Sequence, residues 1–292
     1  MGGKRDATAL PVVLVHGLRT SRTMWRAQVE ALGRAGHPAL AIDLPGHGSR
    51  CDDVFTFDGA VDAVRAGVDE VGGRALVVGL SLGGYVAITH AARHPEQVAG
   101  LVAAACCTRP WRPVVGAWRV ASAAIVCLPD RGAALNQYLV DRMLPPAGAT
   151  DAGAGGFALA VMTDALREMA AARPLDDLAR VEAPVWLVNG QLDHFRGEER
   201  RYLRACRDGQ LVVVPGATHL VSLVRPTRFT RVLLEALGEL DRRGRDGSVR
   251  QTVSAQARTP PTIPASFGTT TTSPPRRSST AGAMRREFPP PR

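Results

Sequence analysis

The sequence predicts an α/β fold built on a doubly wound, mostly parallel sheet of about six strands. Short runs rich in valine, leucine and alanine alternate with segments of helical periodicity along most of the chain. The runs are apolar at nearly every position, as in strands that helices cover on both faces. The alternation stops once, over a long central stretch, and then resumes, which indicates an insertion between two parts of one core.

The first part of the chain supplies four strands and three helices. The helix after the first strand has Met24, Val29 and Leu32 on one face, and Gly36 ends it. The later helices end in the same way, at glycine or at a turn. The predicted strands are residues 11–15, 39–42, 75–80 and 98–105, and the predicted helices are residues 21–35, 57–71 and 82–93.

The alternation stops over residues 108–178, where prolines separate helix-like segments and no valine-rich run occurs. We interpret this stretch as a helical cap, with a mobile hinge at its glycine-rich residues 148–156. The sheet then resumes with strands 184–188 and 211–214 and helices 198–206 and 221–240. The predicted organisation is core residues 1–107, cap 108–180, core 181–242 and tail 243–292.

The predicted tail is rich in threonine, serine, proline and arginine. Such a segment buries too little apolar surface to offset its ordering entropy, so we expect it to be disordered. Residues 241–292 hold ten arginines and three acidic residues, so +7 of the formal charge of +9 lies there. A basic arm that binds nucleic acid is the alternative. We do not expect it, because the arginines are spread thinly and the aromatics are limited to Phe267 and Phe288.

Composition bounds the class of protein. The chain is 45% hydrophobic and 22% charged, as globular proteins are. Its five cysteines form no C-x-x-C pair, which predicts free thiols in a reducing, cytoplasmic compartment. The apolar run at residues 10–15 is too short for a signal peptide, and Arg119 interrupts the nearest approach to a membrane span, residues 114–128.

A serine between two glycines follows the third predicted strand. The residues Gly79-Leu80-Ser81-Leu82-Gly83 have the G-x-S-x-G pattern of a nucleophile elbow, a tight turn from strand to helix. A Cβ at either glycine would collide with neighbouring backbone in such a turn. The same pattern also occurs in ordinary Gly-Ser turns, so its interpretation depends on finding partners for Ser81.

An acid and a base follow the elbow in the order that acyl-transfer chemistry uses. Asp193 lies in the loop after the resumed strand, and His219 lies in the loop after the last strand. Alone, Asp193 would be read as a helix N-cap and His219 as an ordinary loop histidine. The rival acids lack this placement after a strand; they are Asp164, Asp176, Asp177 and Asp208.

Acyl transfer also needs donors for an oxyanion. We predict the backbone N–H groups of Leu82, which follows the serine, and of Leu18, in the loop after the first strand. Gly17 lets that loop approach closely. Three other polar residues are interpreted as shaping loops rather than as catalytic groups: His16, Asp43 and His47.

Together these stretches resemble the α/β-hydrolase superfamily, in particular its small cofactor-free esterases, thioesterases and haloperoxidase-like members. The resemblance covers residues 11–240 and omits the tail. It implies nucleophile Ser81, base His219, acid Asp193, a cap inserted in the sheet, and no cofactor or metal. Two departures stand out: the family's N-terminal antiparallel hairpin is not expected, and a serine nucleophile argues against the dehalogenase and epoxide-hydrolase branches. The matching motifs are residues 15–17 with Trp25, 43–49, 79–84, 189–193 and 215–219.

We therefore expect a carboxylesterase-like serine hydrolase that acts on a small-molecule ester or thioester with a hydrophobic acyl or small aromatic group. The alternatives are C–C hydrolysis, lyase, acyltransferase or perhydrolase chemistry on the same triad, or a receptor-like binding module. The oligomeric state is not predicted. The expected apolar lid consists of Val114, Val115, Trp118, Val120, Ile125, Leu135, Tyr138, Leu139, Met143, Phe157, Leu159 and Met162.

Overall fold

The structure, a computed structural model, describes residues 9–110, 112–128, 130 and 132–257. Its strands are β1 Val12–Val15, β2 Ala39–Ile42, β3 Ala75–Leu80, β4 Val98–Ala104, β5 Val185–Gly190 and β6 Gly209–Val214. They form one sheet in the order β2-β1-β3-β4-β5-β6, and every neighbouring pair is parallel. The predicted parallel sheet of about six strands is confirmed.

Helices cover both faces of the sheet and form the insertion between β4 and β5. In chain order they are α1 Arg26–Arg34, α2 Phe57–Glu70, α3 Leu82–Arg93, α4 Arg112–Val126, α5 Ala133–Met143, α6 Pro146–Gly153, α7 Met162–Met169, α8 Pro174–Leu178, α9 Glu199–Ala205, α10 Val221–Val224 and α11 Pro226–Ala257. The described residues between β4 and β5 form helices and loops, with no strand among them. We call this helical insertion the cap.

Strand β1 shows why its residues form a central strand. All four side chains are fully buried, and successive ones enter opposite faces of the sheet. Val13 and Val15 pack in one apolar cluster, and Val12 and Leu14 pack in the other. Burial of each such side chain stabilises the fold by about 1.5–3 kcal/mol, which favours an interior position for this strand.

Buried and partly buried polar contacts join the cap to the core. The Arg26 guanidinium, on α1, donates to both oxygens of Asp151, on α6, at 2.6 and 3.2 Å. Thr89, on α3, donates its hydroxyl to Asp177, on α8, at 2.7 Å. Residues 148–153 of the predicted hinge therefore belong to α6, and the Asp151 carboxylate among them is bound to the core.

The C-terminal part differs from the expectation at its start. Helix α11 continues to Ala257, past residue 243 where the disordered tail was predicted to begin. The rest of that prediction, residues 258–292, lies outside the described residues. The described residues divide into one unit that ends at Gly247 and a second that begins at Ser248. All five cysteines are free thiols. None of the described helices has the length and apolar character to cross a bilayer.

Candidate active site

The candidate site lies at the point where the sheet changes direction. Strand β1 is central, and the chain crosses to one side of it for β2 and to the other side for β3. In open α/β sheets, ligands bind outside the carboxyl ends of the strands at such a switch point. The loop after β1 carries Leu18, and Ser81 follows β3 directly. The two loops therefore meet at one crevice.

Ser81 occupies a strained turn between β3 and α3. Its φ is 55° and its ψ is −116°, a backbone conformation that non-glycine residues rarely adopt. A Cβ on Gly79 would collide with the carbonyl group of Gly83, and one on Gly83 would collide with the carbonyl oxygens of Val15 and His16. Both glycines are required because strand and helix pass each other in contact.

The structure brings Ser81, His219 and Asp193 together in hydrogen-bonding order. Nε2 of His219 is 3.0 Å from Ser81 Oγ, and Nδ1 of His219 is 3.0 Å from Asp193 Oδ1. A carboxylate can only accept, so Nδ1 carries the proton and Nε2 is left as an acceptor toward the serine hydroxyl. This arrangement can remove a proton from Ser81.

The loops that carry the acid and the histidine are tied together by backbone contacts. Leu192 N–H donates to the carbonyl oxygen of Ala217 at 2.9 Å. A Cβ on Gly190, at the end of β5, would collide with the carbonyl oxygens of Ala217 and Thr218. Glycine at this position thus allows the loop of Asp193 to approach the loop of His219.

Asp193 is held as a carboxylate. It is 4% exposed, and burial by itself would raise its pKa. The hydrogen bond from His219, together with the Phe195 N–H that donates to Asp193 Oδ1 at 2.8 Å, outweighs burial and lowers the pKa below the ordinary aspartate value. The ionised group can therefore stabilise an imidazolium on His219.

Two backbone amides are free to hold an oxyanion. Leu82 is the first residue of α3, so its N–H has no partner within the helix. Within the described part of the chain, neither Leu82 N–H nor Leu18 N–H donates a hydrogen bond. Both residues line the same cavity as Ser81. Gly17 also lines it, and a Cβ there would lie 3.5 Å from Ser81 Cβ.

The other polar residues of these loops contact mainly backbone groups, and their interpretation as loop-shaping residues stays a prediction. His16 Nε2 accepts from Leu44 N–H at 3.0 Å, so its Nδ1 donates to the Gly17 carbonyl at 2.8 Å. Burial and the neighbouring His47 lower the pKa of His16 to about 3, so the ring stays neutral. Asp43 accepts from the backbone N–H of Arg22 at 2.7 Å and of Ser49 at 2.9 Å. His47 packs against Pro45 through a 2.9 Å bond to its carbonyl oxygen.

The cap closes a mainly apolar cavity of about 330 Å³ over Ser81. On α5, Asn136, Leu139, Val140 and Met143 face it at spacings of three and four residues. Six residues of the expected lid line the cavity: Trp118, Ile125, Leu139, Met143, Phe157 and Met162.

Several other described residues of the expected lid do not line the cavity. Val120 is 72% exposed and Tyr138 is 64% exposed, because each lies on the outer face of its helix. Leu135 is exposed, and Leu159 does not line the cavity. The side chains of Val114 and Val115 lie outside the described part.

Sequence reasoning missed several polar or aromatic residues of the cavity. Phe195 packs on the His219 ring with centroids 4.6 Å apart, and His194 lies at 5.1 Å on the same ring. The sequence signal for His194 and Phe195 was that both directly follow Asp193. The signal for Arg19 was its position directly after Leu18, whereas nothing in the sequence pointed to Asn136.

Asp193, His194 and His219 also form a group with three potential metal ligands within 4.8 Å of one another. The donor set overlaps the hydrogen-bonded chain, because His219 Nδ1 is already paired with Asp193 Oδ1. A cation there would have to replace the proton of that bond. The predicted absence of a metal remains a prediction.

The chain is similar in sequence or structure to several known proteins. The model of the alpha/beta hydrolase family matches residues 12–232. A pimeloyl-[acyl-carrier protein] methyl ester esterase from Neisseria meningitidis serogroup C is 38% identical over 107 residues, which cover 35% of this chain and only 40% of the esterase. Protein ABHD14A from Danio rerio is 31% identical over 245 residues, covering 82% of this chain and 68% of that protein.

A solved structure agrees with these matches. The thermophilic esterase from Thermogutta terrifontis, determined with malate bound, superposes with a TM-score of 0.65 at 28% identity. The superposition covers 80% of this chain and 91% of the esterase. The family model alone spans most of the chain, including every strand and the three hydrogen-bonded residues. The chain therefore belongs to the alpha/beta hydrolase family.

Proposed function

We propose that this protein is a serine hydrolase that cleaves a carboxylic ester or thioester with a hydrophobic acyl or small aromatic group. The observation that carries the proposal is the chain of two 3.0 Å hydrogen bonds from Ser81 through His219 to Asp193. It opens into a cavity with two free backbone amides, which suits acyl transfer.

The mechanism follows from the roles that each atom can take. His219 Nε2 removes the hydroxyl proton of Ser81 as Oγ bonds to the substrate carbonyl carbon, and the carbonyl oxygen becomes an oxyanion. The amides of Leu18 and Leu82 donate to that oxygen, and Asp193 balances the charge on the imidazolium. The carbon–oxygen or carbon–sulfur bond then breaks, and His219 protonates the leaving group.

Water completes the cycle. His219 takes a proton from a water molecule, whose oxygen attacks the acyl-enzyme, and the proton returns to Ser81 Oγ as the acid leaves. The apolar walls of the cavity support an apolar acyl group rather than a peptide or a sugar. The esterases among the relatives favour the same choice.

Burst kinetics with p-nitrophenyl butyrate and labelling with a fluorophosphonate probe test this proposal. We expect a burst of p-nitrophenol and one label per chain, both abolished in Ser81→Ala. Ser49→Ala is the matched control, because its hydroxyl bonds Asp43 outside the cavity. Absence of both burst and Ser81-dependent label would refute the proposal and favour a binding module.

A further inference from the structure

The cavity contains one cation among its apolar walls. Arg19 lines it together with Ser81, and no acidic residue lines it in the described part of the chain. Burial lowers the pKa of Arg19, since the cavity solvates its charge poorly. A cation in such surroundings ordinarily pairs with an anion.

Arg19 differs in its partners from two other arginines of the chain. Arg26 and Arg109 each reach a carboxylate, at 2.6 and 2.9 Å. Among the described residues, no carboxylate lies within 4.0 Å of the Arg19 guanidinium, whose one side-chain hydrogen bond runs from Nη1 to Asn136 Oδ1 at 3.3 Å. Most of its donors are therefore available to a ligand.

Asn136 is the second unusual group. It is 5% exposed and belongs to the cavity-facing side of α5, whose other members are apolar. Its Oδ1 accepts from Arg19, but its Nδ2 is buried with no hydrogen-bond partner in the described part. A buried amide donor without a partner costs stability, so its retention points to a ligand.

The backbone holds Arg19 in place before any ligand binds. Its φ is 71°, in the left-handed region that disfavours a residue with a Cβ. Its carbonyl oxygen accepts from the N–H of Ala158, in the cap, at 3.0 Å. Core and cap together therefore fix the backbone from which the Arg19 side chain extends.

We propose that Arg19 and Asn136 bind a carboxylate carried by the substrate, at the end of its acyl chain away from the scissile carbonyl. A guanidinium fork matches a planar carboxylate, and Asn136 Nδ2 supplies a further donor. The apolar walls take the methylene groups between the two ends. The substrate class is thus the monoester or monothioester of a short dicarboxylic acid, an inference that rests on the proposed esterase function.

Matched ester pairs test the inference through activity. The monomethyl esters of succinic, glutaric and adipic acid are compared with the corresponding ester-amides, which have the same length without the charge. At one of these lengths we expect wild-type kcat/KM to favour the acid by about 10- to 100-fold, as expected for hydrogen bonds to a charged group. A ratio near one at every length would overturn the inference, while a persisting burst would leave the esterase function intact.

Variants assign that ratio to the two residues. Arg19→Gln removes the cation, and Asn136→Asp places a competing carboxylate on it, so both should bring the ratio close to one. Arg19→Lys should retain part of the preference. Arg119→Gln is the control, because this cap arginine is exposed and does not line the cavity, and it should keep the wild-type ratio. Equal loss in Arg119→Gln would contradict a local site.

Binding is measured independently of turnover. By calorimetry, Ser81→Ala should bind adipate or glutarate more tightly than adipamide or glutaramide, and the added Arg19→Gln change should abolish the difference. If no ester is hydrolysed, the esterase proposal fails and this measurement alone decides the carboxylate site. Equal affinity for acid and amide would refute it.

Discussion

His219 Nε2 lies 3.0 Å from Ser81 Oγ, although the two residues are 138 positions apart in the chain. The contact exists because β3 and β6 end at the same edge of a parallel sheet and the loops of the histidine and the acid lean together. Asp193 completes this chain of hydrogen bonds through its contact with Nδ1 of His219.

Asp193→Asn should lower kcat by about 10³- to 10⁴-fold with little change in fold, because an amide donor favours the wrong histidine tautomer. Steady-state kinetics with p-nitrophenyl butyrate measure the loss. Asp176→Asn is the control, since that carboxylate is exposed and does not line the cavity. The activity of this variant should match wild type. Similar kcat values for Asp193→Asn and wild type would show that another group orients His219.

Gly83→Ala should destabilise the fold by about 3 kcal/mol or more, because its Cβ would collide with the carbonyl oxygens of Val15 and His16. Gly33→Ala is the matched opposite, since nothing lies within 4 Å of a Cβ there. Its place in α1 means that alanine should stabilise by about 0.5–1 kcal/mol. Urea unfolding measures both, and a tolerated Gly83→Ala would contradict the close approach at the elbow.

Stability should fall as the pH drops below about 6.5, the ordinary histidine value. Burial is the main cause that lowers the pKa of both His16 and His90 to about 3, so the unfolded chain binds these protons first. Each histidine should therefore remove about 1.4 kcal/mol of unfolding free energy per pH unit between 6.5 and 3.

Urea unfolding as a function of pH measures that slope. In His90→Leu the slope should fall by one histidine's contribution. The unfolding free energy at neutral pH should not fall, because neither ring nitrogen of His90 has a hydrogen-bond partner in the described part. His37→Leu serves as the control, since its ring is only partly buried. An unchanged slope in His90→Leu would mean that the ring is protonated in the folded protein.

Arg26→Gln should loosen the cap, because it leaves the buried carboxylate of Asp151 without its cation. Hydrogen exchange should accelerate in residues 146–158 and remain unchanged in β3 and α3. Arg34→Gln, on the same helix, is the control, since its contact with Glu30 is exposed. Uniform exchange across the chain in Arg26→Gln would argue against a separate opening of the cap.

The sequence alone was sufficient for the class of fold and for the three residues of the proposed triad. Buried parallel strands are apolar on both faces, so they can be recognised without knowledge of their neighbours, as β1 and β3 were. The elbow, the acid loop and the histidine loop each follow a strand, and parallel strands bring such loops to one edge. Local patterns therefore carried this information.

Only the tertiary structure decided which side chains of the cap face the cavity. Helical periodicity identifies stripes but does not say which stripe meets the core. Tyr138 and Leu139 are adjacent in sequence, yet Leu139 lines the cavity and Tyr138 does not. Arg19 and Asn136 are 117 positions apart and share no motif. Their contact depends on how the cap packs over the sheet, which is a property of long-range packing rather than of any local stretch.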